Sequence, residues 1–417
     1  MCQDRRMPPE PSQADETTCL IAGGGPAGMI LGLLLARGGV NVTVMEKHAD
    51  FLRDFRGDTV HASTLRLLDE LGLGHAFERV PHRLVDTIHM EIQTAPVNLD
   101  LTRLPGPHRH IALVPQWDFL EMVATAADAE PTFRLLRSTE VVGVIREGGR
   151  VAGVTYRNPT GETQQMRAQL TVGCDGRYST VRSAVGLVPK SYGVPMDVWW
   201  FRLPRHSSDP RGLSGILRAG HATIVIDRGD YYQIAYIIPK GTDAKMRAQG
   251  IESLHKALVG MVPWLGDRVD ALTSFDDVKL LDVQLNRLAR WYADGVLFIG
   301  DSAHAMSPVG GIGINLAVAD AVAAARILAD PLRAGVVSTR ELARVQRRRL
   351  LPTMILQAAQ RFIHAKVIAG AVSGTDHRPP GAVRLVSRSV ALRRLAGYLI
   401  AIGPLPEHAP AFARREG

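Results

Sequence analysis

The stretch Thr17–Glu46, TTCLIAGGGPAGMILGLLLARGGVNVTVME, constrains this chain more than any other. The apolar run Cys19–Ala22 stops at glycines. Met29–Ala36 then shows the pattern of a buried helix, and Gly38–Gly39 end it. A second strand, Asn41–Val44, alternates and leads to Glu46. Strand, glycine turn, helix, strand is half of a doubly wound, Rossmann-like α/β fold with a dinucleotide fingerprint in the expected place.

Each residue of that fingerprint has a physical task. Gly23 allows the tight turn. Gly25 lets main chain approach a pyrophosphate, and Gly28 lets the helix pack closely on the strand. Pro26, followed by Ala27, suits a first helical turn, where a missing N–H costs nothing. The helix start then offers free N–H groups and about half a positive charge to phosphates. Glu46, followed by Lys47, ends the second strand, where a carboxylate accepts both hydroxyls of an unphosphorylated ribose. The expectation is an ADP-bearing cofactor, FAD or NAD; the alternative is a glycine-rich turn that binds nothing.

A chain of 417 residues suits two or three domains. The net charge of +8 points to anionic ligands or a basic surface. Its arginines are dispersed, and no nucleic-acid module is recognisable. Cys2, Cys19 and Cys174 lack metal-ligand spacing, so no metal is expected and a reducing cytoplasm is. No apolar run reaches the roughly 18 residues of a spanning helix. Residues 1–16 are polar and proline-rich, a disordered lead-in with no signal peptide.

Further along, Lys47–Asp58 carries charge beside the expected cofactor, and Arg56 is either a phosphate contact or part of a solvated loop. Helices are expected at His61–Leu71 and Trp117–Ala127. Gln116 either touches a flavin or merely starts its helix. Val85–Ile92 and Val97–Leu101 form a separate strand layer. Val141–Arg146, Val151–Tyr156 and Glu162–Arg167 form a meander. In Leu170–Arg182, LTVGCDGRYSTVR, Asp175 either holds two loops in register or makes an Asx turn with a helix cap. Asp197–Leu203, His221–Ile226 and Tyr231–Ile238 predict an inserted antiparallel sheet, with Trp200, Arg202, Tyr232 and Tyr236 on its working face. Gly295–Ile299 returns to a buried strand and leads into GDSAHAMSPVGGIGIN, residues 300–315. Here Asp301 sits at a strand mouth, and Pro308 with Gly310–Gly313 opens the helix Ile314–Leu328. His304 is either a base or a structural residue. The tail, helical over Ser338–Ala369 and Ala382–Ile402, is a packed pair or a weak membrane-surface element.

Gly23–Gly28 with Glu46, Gly173–Arg182 and Gly300–Asn315 occur in that order and at matching distances. Together they resemble the single-component FAD-dependent aromatic monooxygenases, the group A, para-hydroxybenzoate hydroxylase-like superfamily. The resemblance implies a Rossmann-like FAD-binding domain over 17–84, 108–188 and 284–335. It further implies an inserted, mainly antiparallel substrate domain over 85–107 and 189–283, and a C-terminal helical region over 336–417. It assigns Gly23, Gly25, Gly28 and Glu46 to the ADP half of FAD and Asp301 to the ribityl chain. Pro308, Gly311, Gly313, Ile314 and Asn315 would lie at the flavin ring, and Arg56 and Gln116 at the cofactor. Asp175 falls in a motif associated with both FAD and NAD(P)H. The implied activity is NAD(P)H-consuming hydroxylation of an aromatic, phenolic or polyketide-like small molecule by dioxygen, through a flavin C4a-hydroperoxide. The protein would be a monomer or homodimer, and its catalytic residue stays unassigned. A flavin-dependent reductase, a halogenase and a non-catalytic flavin-binding protein are the alternatives; the halogenase signature Trp-x-Trp-x-x-Pro is absent.

Overall fold

The computed structural model describes residues 16–52, 59–374 and 379–416. The expected lead-in therefore lies almost wholly outside the described residues. The first strand, Glu16–Ala22, sits between Val42–Met45 and Thr163–Gly173, parallel to both. Phe133–Leu136 and Val296–Phe298 extend this parallel core on either side. Glu140–Glu147 and Arg150–Arg157 continue it antiparallel. Strand alternation fixes the two faces. Cys19 and Ile21 pack towards the helices Pro26–Arg37, Gln116–Asp128 and Gly313–Arg333, whereas Leu20 and Ala22 pack towards the meander. Cys19 is fully buried, and burial pushes its thiol up to about 12.

A second sheet forms a roof. Its order is Lys279–Leu281, Met196–Pro204, Tyr231–Pro239, His221–Asp227, Leu213–Arg218, Thr87–Ile92 and Ala95–Asp100. One roof face packs on the helix Ile251–Met261; the other packs on the C-terminal helices and on Val309.

Three elements differ from the sequence expectation. Leu213–Arg218 is a strand that the pattern hid, because Gly215 interrupts its side-chain run. A Cβ there would come within 2.5 Å of Met90, so the neighbouring strand requires the glycine. Thr163–Gly173 is one strand that serves both the meander and the parallel core. The expected helix 382–402 is two helices, Gly381–Arg388 and Val390–Ala401, because Ser389 caps the second by accepting the Leu392 N–H.

The segment Val309–Arg333 is long and apolar enough to cross a membrane, unlike the sequence expectation, but 72% of its apolar window is buried inside the fold. Within it, Asp320 is fully buried. Its Oδ2 accepts the Gly300 N–H at 3.1 Å and faces His304 Nε2 at 2.5 Å; its Oδ1 accepts Arg349 Nε at 2.9 Å. His304 is thus a buried partner of Asp320, its ring tilted 42° against Trp291 at 4.7 Å. Burial works to raise the Asp320 carboxyl, but His304 and Arg349 outweigh it and hold the group below its ordinary range. A depressed carboxyl stabilises the fold above the unfolded value of about 4, and that contribution is lost as pH falls through the folded value. Asp320→Asn takes from buried Arg349 its nearer carboxylate, leaving Glu407 Oε1 at 3.6 Å, and is expected to cost about 3 kcal/mol, read as a lower denaturation midpoint.

Candidate active site

The three motifs meet at main-chain contacts. Gly23 has φ +103°, and a Cβ on it would lie 2.5 Å from the Cys174 carbonyl oxygen. A Cβ on Gly28 would lie 2.0 Å from the Gly23 oxygen. Gly300, φ +62°, lies where a Cβ would be 3.3 Å from both Ala27 and Ala317, so it lets the two long helices approach the third motif. Side chains complete the joint. Arg182 donates to Ser302 O at 2.8 Å and to Arg177 O at 2.6 Å. Ser302 Oγ lies 2.5 Å from Gly173 O. Arg177 reaches Asp301 Oδ2 at 3.3 Å.

Two helices start side by side at this joint, Pro26–Arg37 and Gly313–Arg333. Neither has a side-chain cap or an acid in its first turn. Among the described residues no protein acceptor meets the N–H groups of Ala27, Gly28, Gly313, Ile314 or Asn315. Gly25, with φ −74° and ψ −176°, has a backbone that any residue adopts. A Cβ on Gly25 or on Gly313 would meet no protein atom within 4 Å. Packing therefore explains Gly23 and Gly28 but not Gly25. Glycine there fits a cradle that a Cβ would fill, beside helix starts suited to anionic oxygens.

Comparison with known proteins settles the family. A family described as "FAD binding domain" matches residues 16–358. The chain belongs to this FAD-binding family. A 6-methylpretetramide 4-monooxygenase of Streptomyces rimosus is 35% identical over 93% of this chain and 94% of its own length. An anhydrotetracycline monooxygenase of the same species is 29% identical over 73% of this chain, which spans only 60% of that longer relative. The crystal structure of P. aeruginosa PqsL with 2-aminobenzoylacetate superposes with a TM-score of 0.74 at 21% identity, covering 86% of this chain and 98% of that one. The protein is an FAD-dependent monooxygenase.

Glu46 is buried, and its two oxygens accept the N–H groups of Gly24 at 2.9 Å and His48 at 3.0 Å, so it shapes the glycine turn as well as ending the strand. Lys47 beside it is exposed. Arg56 lies outside the described residues. Gln116 begins its helix directly after Pro115, and its side-chain amide has no partner among the described residues. Asp175 accepts from Ser179 Oγ at 2.5 Å and Val181 N at 3.0 Å, and Ser179 caps the next helix. Burial raises its carboxyl despite those bonds. Pro308 and Gly311 form the loop before the long helix, and Gly311 takes φ +63°. Ile314 points into the core, so only its main chain faces the cradle. Asn315 Oδ1 accepts the His61 N–H at 2.9 Å and Thr64 Oγ1 at 2.7 Å, tying the helix start to the segment after the second strand.

The roof candidates divide. Trp200 pairs with Ala235 and Arg202 with Gln233, so these share the face turned to the C-terminal helices. The Trp200 indole N–H is buried without a partner. Tyr232 and Tyr236 do not share that face, contrary to the expectation of one common face. They pair with Leu203 and Trp199, which puts their rings in the opposite core, against the helix Ile251–Met261. Tyr236 is hydrogen-bonded to His221, and burial pushes its phenol up to about 12.

Sequence reasoning missed His61. Its Nδ1 lies 2.7 Å from the Ile400 oxygen, so that nitrogen carries the proton. Nε2 is then a lone-pair acceptor, buried without a partner beside Gly311. Burial lowers the imidazole to about 4, outweighing the Ile400 bond, and keeps it neutral. No local signal marks this residue, since its partner lies in the C-terminal helix.

Two results follow from this geometry. Gly25→Val is expected to fold normally and emerge without flavin absorbance, whereas Gly28→Val fails to fold because of its 2.0 Å clash. A flavin-loaded Gly25→Val protein would sink the cradle assignment. For His61 the folded value is depressed, so stability is lost as pH falls from about 6.5 to about 4. About 3 kcal/mol of pH-dependent stability is expected in that window, and denaturant titrations of His61→Asn should lack it.

Proposed function

We propose that this monooxygenase hydroxylates a polycyclic or phenolic aromatic of polyketide type. The substrate would lie between the loop Pro308–Gly311 and the Trp200 face of the roof sheet. The observation carrying this reading is the pair of uncapped helix starts beside Gly25 and Gly313, an anion cradle lying under an apolar roof. The extended similarity to a 6-methylpretetramide 4-monooxygenase supports the substrate class.

When bound, FAD supplies the hydride acceptor and the ring at which dioxygen reacts. The chain's own residues do the rest. Gly23, Gly25, Pro26, Ala27 and Gly28 hold the pyrophosphate, and Glu46 the adenosine ribose. Asp301 would accept from the ribityl hydroxyls, and its contact with Arg177 Nη2 at 3.3 Å orients it. The N–H groups of Gly313–Asn315 present the positive end of a 21-residue helix and favour negative charge on the reduced ring. Asn315, His61 and Thr64 fix that helix start against the opposite wall. Trp200 donates its indole N–H to a substrate oxygen. The apolar cluster of Val198, Ala235, Ile237 and Val309 excludes water from the reacting faces.

Oxidation of NAD(P)H by the yellow protein should rise when an aromatic polyketide or phenol library is added, and product mass should gain one atom of 18O from labelled dioxygen. Hydride consumption without label incorporation would favour the reductase alternative. Trp200→Phe should raise substrate KM about tenfold with flavin content intact, through loss of one buried hydrogen bond. Tyr236→Phe, on the far roof face, should leave that KM unchanged.

A further inference from the structure

Three cations converge on one aromatic ring outside the cradle. Lys190 Nζ lies 5.9 Å from the Tyr192 ring centroid, Arg287 Cζ 5.5 Å and Arg361 Cζ 5.0 Å. None of the three pairs with a carboxylate among the described residues. Arg287 instead donates one N–H to Gln357 Oε1 at 2.7 Å. Elsewhere in the chain Arg137, Arg150 and Arg157 each face an acid. The ring attracts each cation, but it carries no net charge and offsets only part of their mutual repulsion. Three positive charges held together without a carboxylate partner among the described residues are suited to an anion.

The position of the patch narrows the anion. Lys190–Ser191 pairs antiparallel with Asn286–Arg287, a two-stranded ribbon where the chain enters the roof sheet and leaves it. Asn286 donates its N–H to Ala305 O and accepts the Ala305 N–H, each at 3.2 Å. Ala305 leads directly into the Pro308 loop. Gln357, which receives Arg287, also donates to Asn286 O at 2.8 Å. The cations are therefore fixed to the back of the loop that opens the long helix. Lys190 and Arg361 are exposed and Tyr192 is half-buried, so the patch faces solvent rather than the apolar roof.

We propose that Lys190, Arg287 and Arg361 bind a phosphate of the reducing nicotinamide dinucleotide; this rests on the reading of the chain as an NAD(P)H-consuming monooxygenase. The reductant must reach the cofactor and leave again within each turnover. Solvent-facing charges suit such transient capture, because they speed encounter without demanding a deep pocket. Arginine pairs flat against two phosphate oxygens, and lysine adds a flexible point charge. The arrangement supplies what a second dinucleotide fingerprint would otherwise provide.

The test uses the flavin-loaded full chain and follows anaerobic bleaching of its flavin against NADPH or NADH concentration. Lys190→Ala and Arg361→Ala change exposed side chains, and flavin content and melting temperature check their folding. Each is expected to raise the half-saturating dinucleotide concentration roughly fivefold, and the double variant further, with the limiting reduction rate unchanged. High salt should raise the wild-type value towards that of the variants. A change confined to NADPH assigns the 2′-phosphate, and an equal change with both assigns the diphosphate. A double variant with wild-type half-saturation for both dinucleotides overturns the inference. Wild-type protein that neither dinucleotide reduces overturns the underlying reading instead, and the inference falls with it.

Discussion

Main chain touching main chain at Gly23 is the constraint on which the rest of this structure depends. The turn after the first strand passes so close to Cys174 and Asp175 that no side chain fits between them. That approach brings the second motif beside the first. Phe298 then packs where a Cβ on Gly173 would stand, and Gly300 sits between the two long helices. Arg182 and Ser302 bolt the second motif to the third. A side chain at any of these glycines would push apart the two uncapped helix starts.

The cradle is also braced from beyond the stretch that defines the family. The family match ends at residue 358, yet Gln360 exchanges hydrogen bonds with Ser307 and donates to the Val309 oxygen. His364 adds a bond to Ser307 Oγ at 2.9 Å from a one-turn π segment, His364–Ile368. Such a segment rotates the side chains that follow it relative to the α-helix before it. Arg349 on the same long helix holds Asp320, which in turn accepts the Gly300 N–H. The helix Thr339–Ile363 thus steadies both the loop before the second cradle helix and the strand mouth that carries Asp301. Ile400, still further along, sets the tautomer of His61. The C-terminal region belongs to the site as much as the fingerprint does.

How much of this was legible in the sequence depends on how far each interaction reaches along the chain. The strand–turn–helix–strand unit, the uncapped helix starts and the strand-end acids are local. Spacing alone therefore marks Gly23, Gly25, Gly28, Glu46 and Asp301. Alternation likewise separates Trp200 and Arg202 from Trp199 and Phe201, because side chains in a strand change face at every residue. It cannot say which residues of another strand join each set. Tyr232 and Tyr236 went to the far face because strand pairing sets them opposite Leu203 and Trp199. Leu213–Arg218 stayed hidden for a similar reason, since its glycine answers to Met90 on a neighbouring strand.

By itself, then, the sequence determined the fold class, the cofactor chemistry and the order of three motifs, since each is written in a few consecutive residues. Only the tertiary structure decided which side chains share each roof face, and that His61 is neutral with its acceptor turned towards Gly311. It alone gathered Lys190, Arg287 and Arg361 on Tyr192. Those outcomes rest on contacts between segments tens to hundreds of residues apart, and the free energy of such contacts depends on burial and docking that no local pattern records.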